Sequence, residues 1–176
     1  MYIIYPKNKD KHYSSYEDLI LNRKVIDINS NYDIDLYDLY HFRIIIRLNN
    51  KVILSDSYNI YNPIIILKLK LYNNNGLIHY ASYYGHINVL EWWKNSGLPL
   101  KYDQWALHLA SQNGHINVLE WWKNSGLELK YDEYALNRAS ENGQVAVLEW
   151  WKNSGLPLKY DTDALNLASC YVKLLF

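Results

Sequence analysis

The chain has 176 residues, and its 18 basic and 18 acidic side chains leave no net charge at pH 7. Residues 1–76 hold ten Lys/Arg against eight Asp/Glu and residues 77–176 hold eight against ten, so neither part is the basic footprint of a duplex-binding protein, and nucleic acid is not an expected partner. The lone cysteine, Cys170, excludes an internal disulfide framework and a cysteine-ligated zinc site and favours a reducing compartment.

Pro6 interrupts the N-terminal Met1-Tyr2-Ile3-Ile4-Tyr5 too early for a signal peptide, and no apolar run approaches the roughly 18 residues a membrane span needs. A soluble, intracellular protein with no membrane partner is expected. Residues 1–75, rich in Ile, Tyr, Asn and Lys, form an N-terminal segment without an internal repeat. Ser15-Tyr16-Glu17-Asp18 ahead of Leu19-Ile20-Leu21 predicts a short helix near 16–24. Phe42-Arg43-Ile44-Ile45-Ile46-Arg47-Leu48 and Lys51-Val52-Ile53-Leu54 flank Asn49-Asn50, which tolerates positive φ, and so predict a β-hairpin; degenerate repeat helices are the alternative. Ile64 to Leu71 leaves the same two readings open, with Pro63 marking its start.

Asp27, Asn29, Asn31, Asp33, Asp35 and Asp38 fall at the oxygen-ligand positions of a calcium loop. Tyr32 stands where a glycine must make the sharp turn, and Asp38 replaces the longer Glu that closes the site. A solvated polar loop is the better reading, and no metal or other cofactor is expected.

From residue 76 one structural sentence is written repeatedly. Asn117-Val118-Leu119-Glu120-Trp121-Trp122-Lys123-Asn124-Ser125-Gly126-Leu127 recurs almost unchanged at 88–98 and 146–156, and Gly85, Gly114 and Gly143 are 29 residues apart. A strict period of this size marks units that stack because none can bury its apolar face alone. The units are 76–103, 104–132 and 133–161, followed by a partial one at 162–176. In the best-preserved unit, Asp103 caps a first helix carrying Ala106, Leu107 and Ala110 on one face. Gly114 ends that helix, and a second runs over 116–124 with Ile116, Leu119 and Trp122 as its stripe until Gly126. Trp121 and Trp122 point about 100° apart, so one is expected to fill the core of its own unit while the other reaches the next.

Ala106-Leu107-His108-Leu109-Ala110-Ser111-Gln112-Asn113-Gly114-His115-Ile116-Asn117-Val118-Leu119 resembles the signature of the ankyrin-repeat family, and the resemblance runs from about Gly76 to Ser169. The Val-Leu-Glu-Trp-Trp-Lys-Asn-Ser-Gly phrase is similar to a Trp-rich, short-period variety encoded by giant DNA viruses of amoebae, which implies the host cytoplasm. The resemblance implies a mainly α fold, an ankyrin-like helix-turn-helix solenoid, preceded by the less regular segment with its β-hairpin. It also implies a non-enzymatic interaction module. The family's usual period is four residues longer, so stubby connectors are expected at Leu98 to Tyr102 and Leu127 to Tyr131. At the end, Cys170 to Phe176 lacks the Gly-His turn, and this apolar stretch is a route to self-association of an otherwise monomeric chain.

His79, His86, His108 and His115 invite a metal or catalytic reading, but the third unit has Asn137 and Gln144 in place of His108 and His115. Amides can replace imidazole as hydrogen-bonding groups but not as zinc ligands or general bases. A structural role is expected, and no catalytic residue is assigned. Across units the apolar and turn positions repeat while change concentrates at Tyr83, Tyr84, Gln104, Trp105, Gln112, Asn113, Glu133, Tyr134, Glu141 and Asn142. The ankyrin resemblance puts these on the concave first-helix face, and their composition suits contact with a protein partner. A truncated remnant of a longer array with no specific partner is the alternative.

Overall fold

The structure, a computed structural model, describes residues 2–4, 25–27, 41–48, 51–73, 76–99 and 101–161. The chain forms two compact units, Met1–Gly76 and Leu77–Phe176.

The first unit contains an antiparallel sheet of β1 (Tyr2–Ile4), β2 (Val25–Asp27), β3 (His41–Leu48), β4 (Lys51–Leu54) and β5 (Tyr58–Asn59). The strand order is β2-β1-β3-β4, with β5 also paired to β3. The expected hairpin is β3–β4, in the register Leu48↔Lys51 to Ile45↔Leu54, so the repeat-helix alternative fails there. Its β-branched residues suit a pleated surface. Ser55 extends the pairing: its N–H donates to Ile44 O at 3.0 Å, and its hydroxyl accepts from Ile44 N at 2.8 Å. The short strands β1 and β2 were not signalled by any turn or alternation.

The second ambiguity resolves as helix: α1 spans Pro63–Lys68. Asn62 Oδ1 accepts the Ile64 N–H at 2.9 Å, and Pro63 presets the helical φ at a position whose missing donor costs nothing. A 3-10 turn follows at Leu71–Asn73. Among the described residues of this unit, Phe42, Ile60, Ile66 and Leu71 are the largest fully buried side chains. The expected helix near 16–24 lies outside the described residues, as does the calcium-type loop beyond Asp27.

The second unit is a run of helix pairs: α2 (Gly76–Tyr83) with α3 (Ile87–Asn95), α4 (Trp105–Gln112) with α5 (Ile116–Asn124), and α6 (Tyr134–Glu141) with α7 (Val145–Asn153). Gly85, Gly114 and Gly143 close the first helices with φ between +64° and +77°, and Gly97, Gly126 and Gly155 follow the second. First helices α4 and α6 pack directly on one another. Ala106, Ala110, Ala135 and Ala139, all fully buried, let the backbones approach. The buried stripe of the second helix is Val118, Leu119 and Trp122; Ile116, expected in it, sits in the first turn and is half-buried.

The tryptophans correct the expected division of labour, because both rings reach back to the preceding repeat. The fully buried Trp122 donates from Nε1 to Ser82 Oγ at 3.3 Å, and Trp151 donates to Ser111 Oγ at 3.1 Å. The half-buried Trp121 donates to Glu91 Oε2 at 2.6 Å, and Trp150 to Glu120 Oε2 at 2.8 Å. The 100° between neighbouring side chains separates an inner from an outer contact with the same neighbour, not one repeat from the next. The connector Leu127 to Tyr131 carries no regular secondary structure. Tyr102 OH donates to Glu128 O and Tyr131 OH to Pro157 O, each 26 residues on, while Lys130 Nζ and Lys159 Nζ lie 4.8 and 4.5 Å over those two rings. Phenol and ammonium groups thus join successive connectors. The partial repeat from residue 162 lies outside the described residues.

Candidate functional site

The first helices α4 and α6 each begin at an aspartate that serves two elements. Asp103 Oδ1 accepts the Trp105 N–H at 2.9 Å, and Asp132 Oδ1 accepts the Tyr134 N–H at 3.0 Å, satisfying donors that a helix start leaves unpaired. The same oxygens meet the preceding repeat: His79 Nε2 lies 2.8 Å from Asp103 Oδ1, and His108 Nε2 lies 2.7 Å from Asp132 Oδ1. In the next step Asn137 Nδ2 donates to Asp161 Oδ1 at 3.1 Å. An amide takes the imidazole's place in the same geometry, so the histidines act here as polar links between layers. Among the described residues no three His, Cys, Asp or Glu side chains converge as a metal site would require.

His108 is only 3 % exposed, and burial pushes its pKa below the usual histidine value against the opposing pull of Asp132. Burial thus favours the neutral ring. Two aromatic side chains rest against it: the Trp105 ring centroid lies 5.6 Å away, edge-on, and that of Tyr134 lies 6.0 Å away. Both remain open to solvent, at 46 % and 53 % exposure. With Gln104, Asp132 and Arg138 they enclose a cleft of about 340 Å³ at the N-terminal ends of α4 and α6. Arg138 is held by Glu141 at 2.8 Å.

The ten variable positions thus fall at two ends of the first helices. Gln104, Trp105, Glu133 and Tyr134 gather at the N-terminal ends, with Trp105 and Tyr134 forming the cleft walls. Tyr83, Tyr84, Gln112, Asn113, Glu141 and Asn142 lie at the C-terminal ends. There Asn113 Nδ2 donates to Leu109 O and Asn142 Nδ2 to Arg138 O, closing carbonyls of their own helices. Tyr83 and Tyr84 stack edge-on at 4.8 Å. Beside them the turns are stacked as well: Gln144 Nε2 donates to Gln112 O at 3.2 Å, and a Cβ at Gly85 would stand 3.0 Å from His115 Nδ1. Asp132, His108 and Arg138, which complete the cleft, are not among the variable positions singled out from the sequence. The internal signal for Arg138 was available, because Tyr80 and Leu109 occupy its position in the earlier units.

Residues 78–121, from α2 into α5, match the family model of ankyrin repeats (many copies). No curated protein and no solved structure matches the chain. Among the described residues no helix is long and apolar enough to cross a membrane.

Proposed function

We propose that this chain is a non-enzymatic scaffold that binds a protein partner through the first-helix face of its repeats, centred on the N-terminal ends of α4 and α6. Repeats of the kind matched at 78–121 are in general protein–protein interaction modules. The observation that carries the reading is the pair Trp105 and Tyr134, two large aromatic side chains kept about half exposed side by side on a face whose polar links are completed beneath them. Aromatic residues in such positions are the usual anchors of protein contacts. The Trp-rich phrase and its 29-residue period support a viral array working inside a cell, in the host cytoplasm. Of the ten variable residues, Gln104, Trp105, Glu133 and Tyr134 form the anchor, and Tyr83, Tyr84, Gln112, Asn113, Glu141 and Asn142 extend the contact along the helices.

A photo-cross-linking residue at position 105, compared with one at Lys152 on the second-helix side, tests this. A defined adduct from position 105 that unlabelled protein competes away, absent from position 152, is the expected result. Equal adducts from both positions, or none from 105, would sink it.

A further inference from the structure

The cleft between Trp105 and Tyr134 has a composition that selects its occupant. One position on the first helix is Gly76, Trp105, Tyr134 and Asp163 in successive repeats, so of these neighbouring pairs only the α4–α6 step has aromatic walls on both sides. Both side-chain contacts of Asp132, with the Tyr134 N–H and His108 Nε2, fall on Oδ1, and Asp132 lines the cleft. Among the described residues the one cation lining the cleft, Arg138, is paired with Glu141 at 2.8 Å, and Glu133 follows Asp132 in sequence with a further negative charge. Aromatic faces carry negative charge at their centres and attract cations, and the adjacent carboxylate adds to that attraction.

Resting on the partner-binding reading, we infer that the Trp105–Tyr134 cleft receives a lysine or arginine side chain of the partner polypeptide, with its cationic head directed to Asp132. An acidic side chain would meet Asp132 and Glu133 with the same sign of charge, and the Arg138 guanidinium that could receive it is already paired. A purely apolar side chain would leave the Asp132 carboxylate desolvated without a counter-charge.

The test uses the full chain and acetylated, amidated tripeptides Gly-Arg-Gly, Gly-Lys-Gly, Gly-Leu-Gly and Gly-Glu-Gly, titrated into the millimolar range while the Trp105 indole N–H resonance is followed. That resonance is assigned by its loss in Trp105→Phe. The Arg and Lys peptides should give saturable shifts, and the Glu peptide none. Asp132→Asn keeps the helix cap and should weaken the Arg peptide about fivefold, Tyr134→Ala about threefold, and added salt should weaken it further. Equal response to the Glu or Leu peptide, or an Arg affinity unchanged in both variants, overturns the assignment. A position-105 cross-link that persists when the cationic peptides fail removes only the cation. A missing cross-link beside a saturating Arg peptide removes the partner reading and keeps the cation site.

Discussion

Trp151 donates its indole N–H to Ser111 Oγ at 3.1 Å, a bond between residues 40 apart in sequence and one repeat apart in the stack. Both side chains are fully buried, so neither group can turn to water if the other is removed. Trp151→Phe should therefore cost about 2–4 kcal/mol, combining lost ring volume with an orphaned hydroxyl. Trp150→Phe, whose indole N–H reaches the exposed Glu120, should cost under about 1 kcal/mol. Urea unfolding of both variants measures the difference, and a cycle with Ser111→Ala should return a coupling of about 1 kcal/mol. Equal losses at 150 and 151 would mean that the inner bond does not organise the stack.

The glycine turns separate two costs. Gly126 has φ +75° with nothing within 4 Å of an added Cβ, whereas at Gly114, φ +77°, a Cβ would lie 2.6 Å from Gln144 Oε1. Gly126→Ala should cost about 1–2 kcal/mol for the left-handed backbone alone. Gly114→Ala should cost about 1 kcal/mol more, because the Gln144 side chain must leave the Gln112 carbonyl it now holds. Adding Gln144→Ala to Gly114→Ala should then cost little further. Thermal melts of the three variants check the ordering.

The parts of this fold that were legible in the sequence are those set by local chemistry. The second helix was expected at 116–124 and α5 occupies Ile116–Asn124, because Gly114 and Gly126 punctuate it and the apolar period fills the interval. The structural reading of the histidines rested on Asn137 standing in for His108, and Asn137 makes the corresponding bond to Asp161. What depends on distance along the chain was not legible. The 30-residue reach of Trp121 to Glu91 needs the translation between repeats, which no periodicity reports. Strands β1 and β2, three residues each, are paired in sequence-distant steps, β1 on β3 and β2 on β1, and carry no pattern of their own. The cleft was half visible: variation pointed to Trp105 and Tyr134, but its floor is made of His108 and Asp132, which look purely structural until the fold brings the two aromatic rings over them.

Acid should weaken the repeats in two stages. Burial holds His108 below the usual histidine pKa, and burial together with the neighbouring His115 holds His86 below it. The unfolded chain therefore takes up these protons first as pH falls, so the stability is fully present above about pH 6.5 and declines below it. Glu91 and Glu120 are held below the usual carboxylate value by the indole N–H groups of Trp121 and Trp150, and their contribution is lost as pH falls through their folded pKa values. The urea midpoint should thus be flat above about pH 7, fall through the histidine range, and fall again in the carboxylate range. His108→Asn, which the third repeat already tolerates at Asn137, should reduce the first decline and leave the second. A midpoint that rises on acidification from pH 7 to 5 would contradict the sign.

Folding should not need the aromatic pair that the partner reading depends on. Trp105 and Tyr134 are the large side chains left exposed at the starts of α4 and α6, and each makes its recorded ring contact with His108 by one edge or tilted face. Their backbone N–H groups, not their rings, hold the caps on Asp103 and Asp132. Trp105→Ala and Tyr134→Ala should therefore each shift stability by no more than about 0.5–1 kcal/mol, with helical circular dichroism unchanged. Asp132→Ala should cost more, about 1–2 kcal/mol, because it strips the Tyr134 N–H and the buried His108 of their shared acceptor. The contrast is what a retained binding face requires: side chains the fold can lose cheaply, set over polar links it cannot. If instead Trp105→Ala destabilised the protein as strongly as Trp151→Phe, Trp105 would be a core residue, and the face would have no anchor to offer a partner.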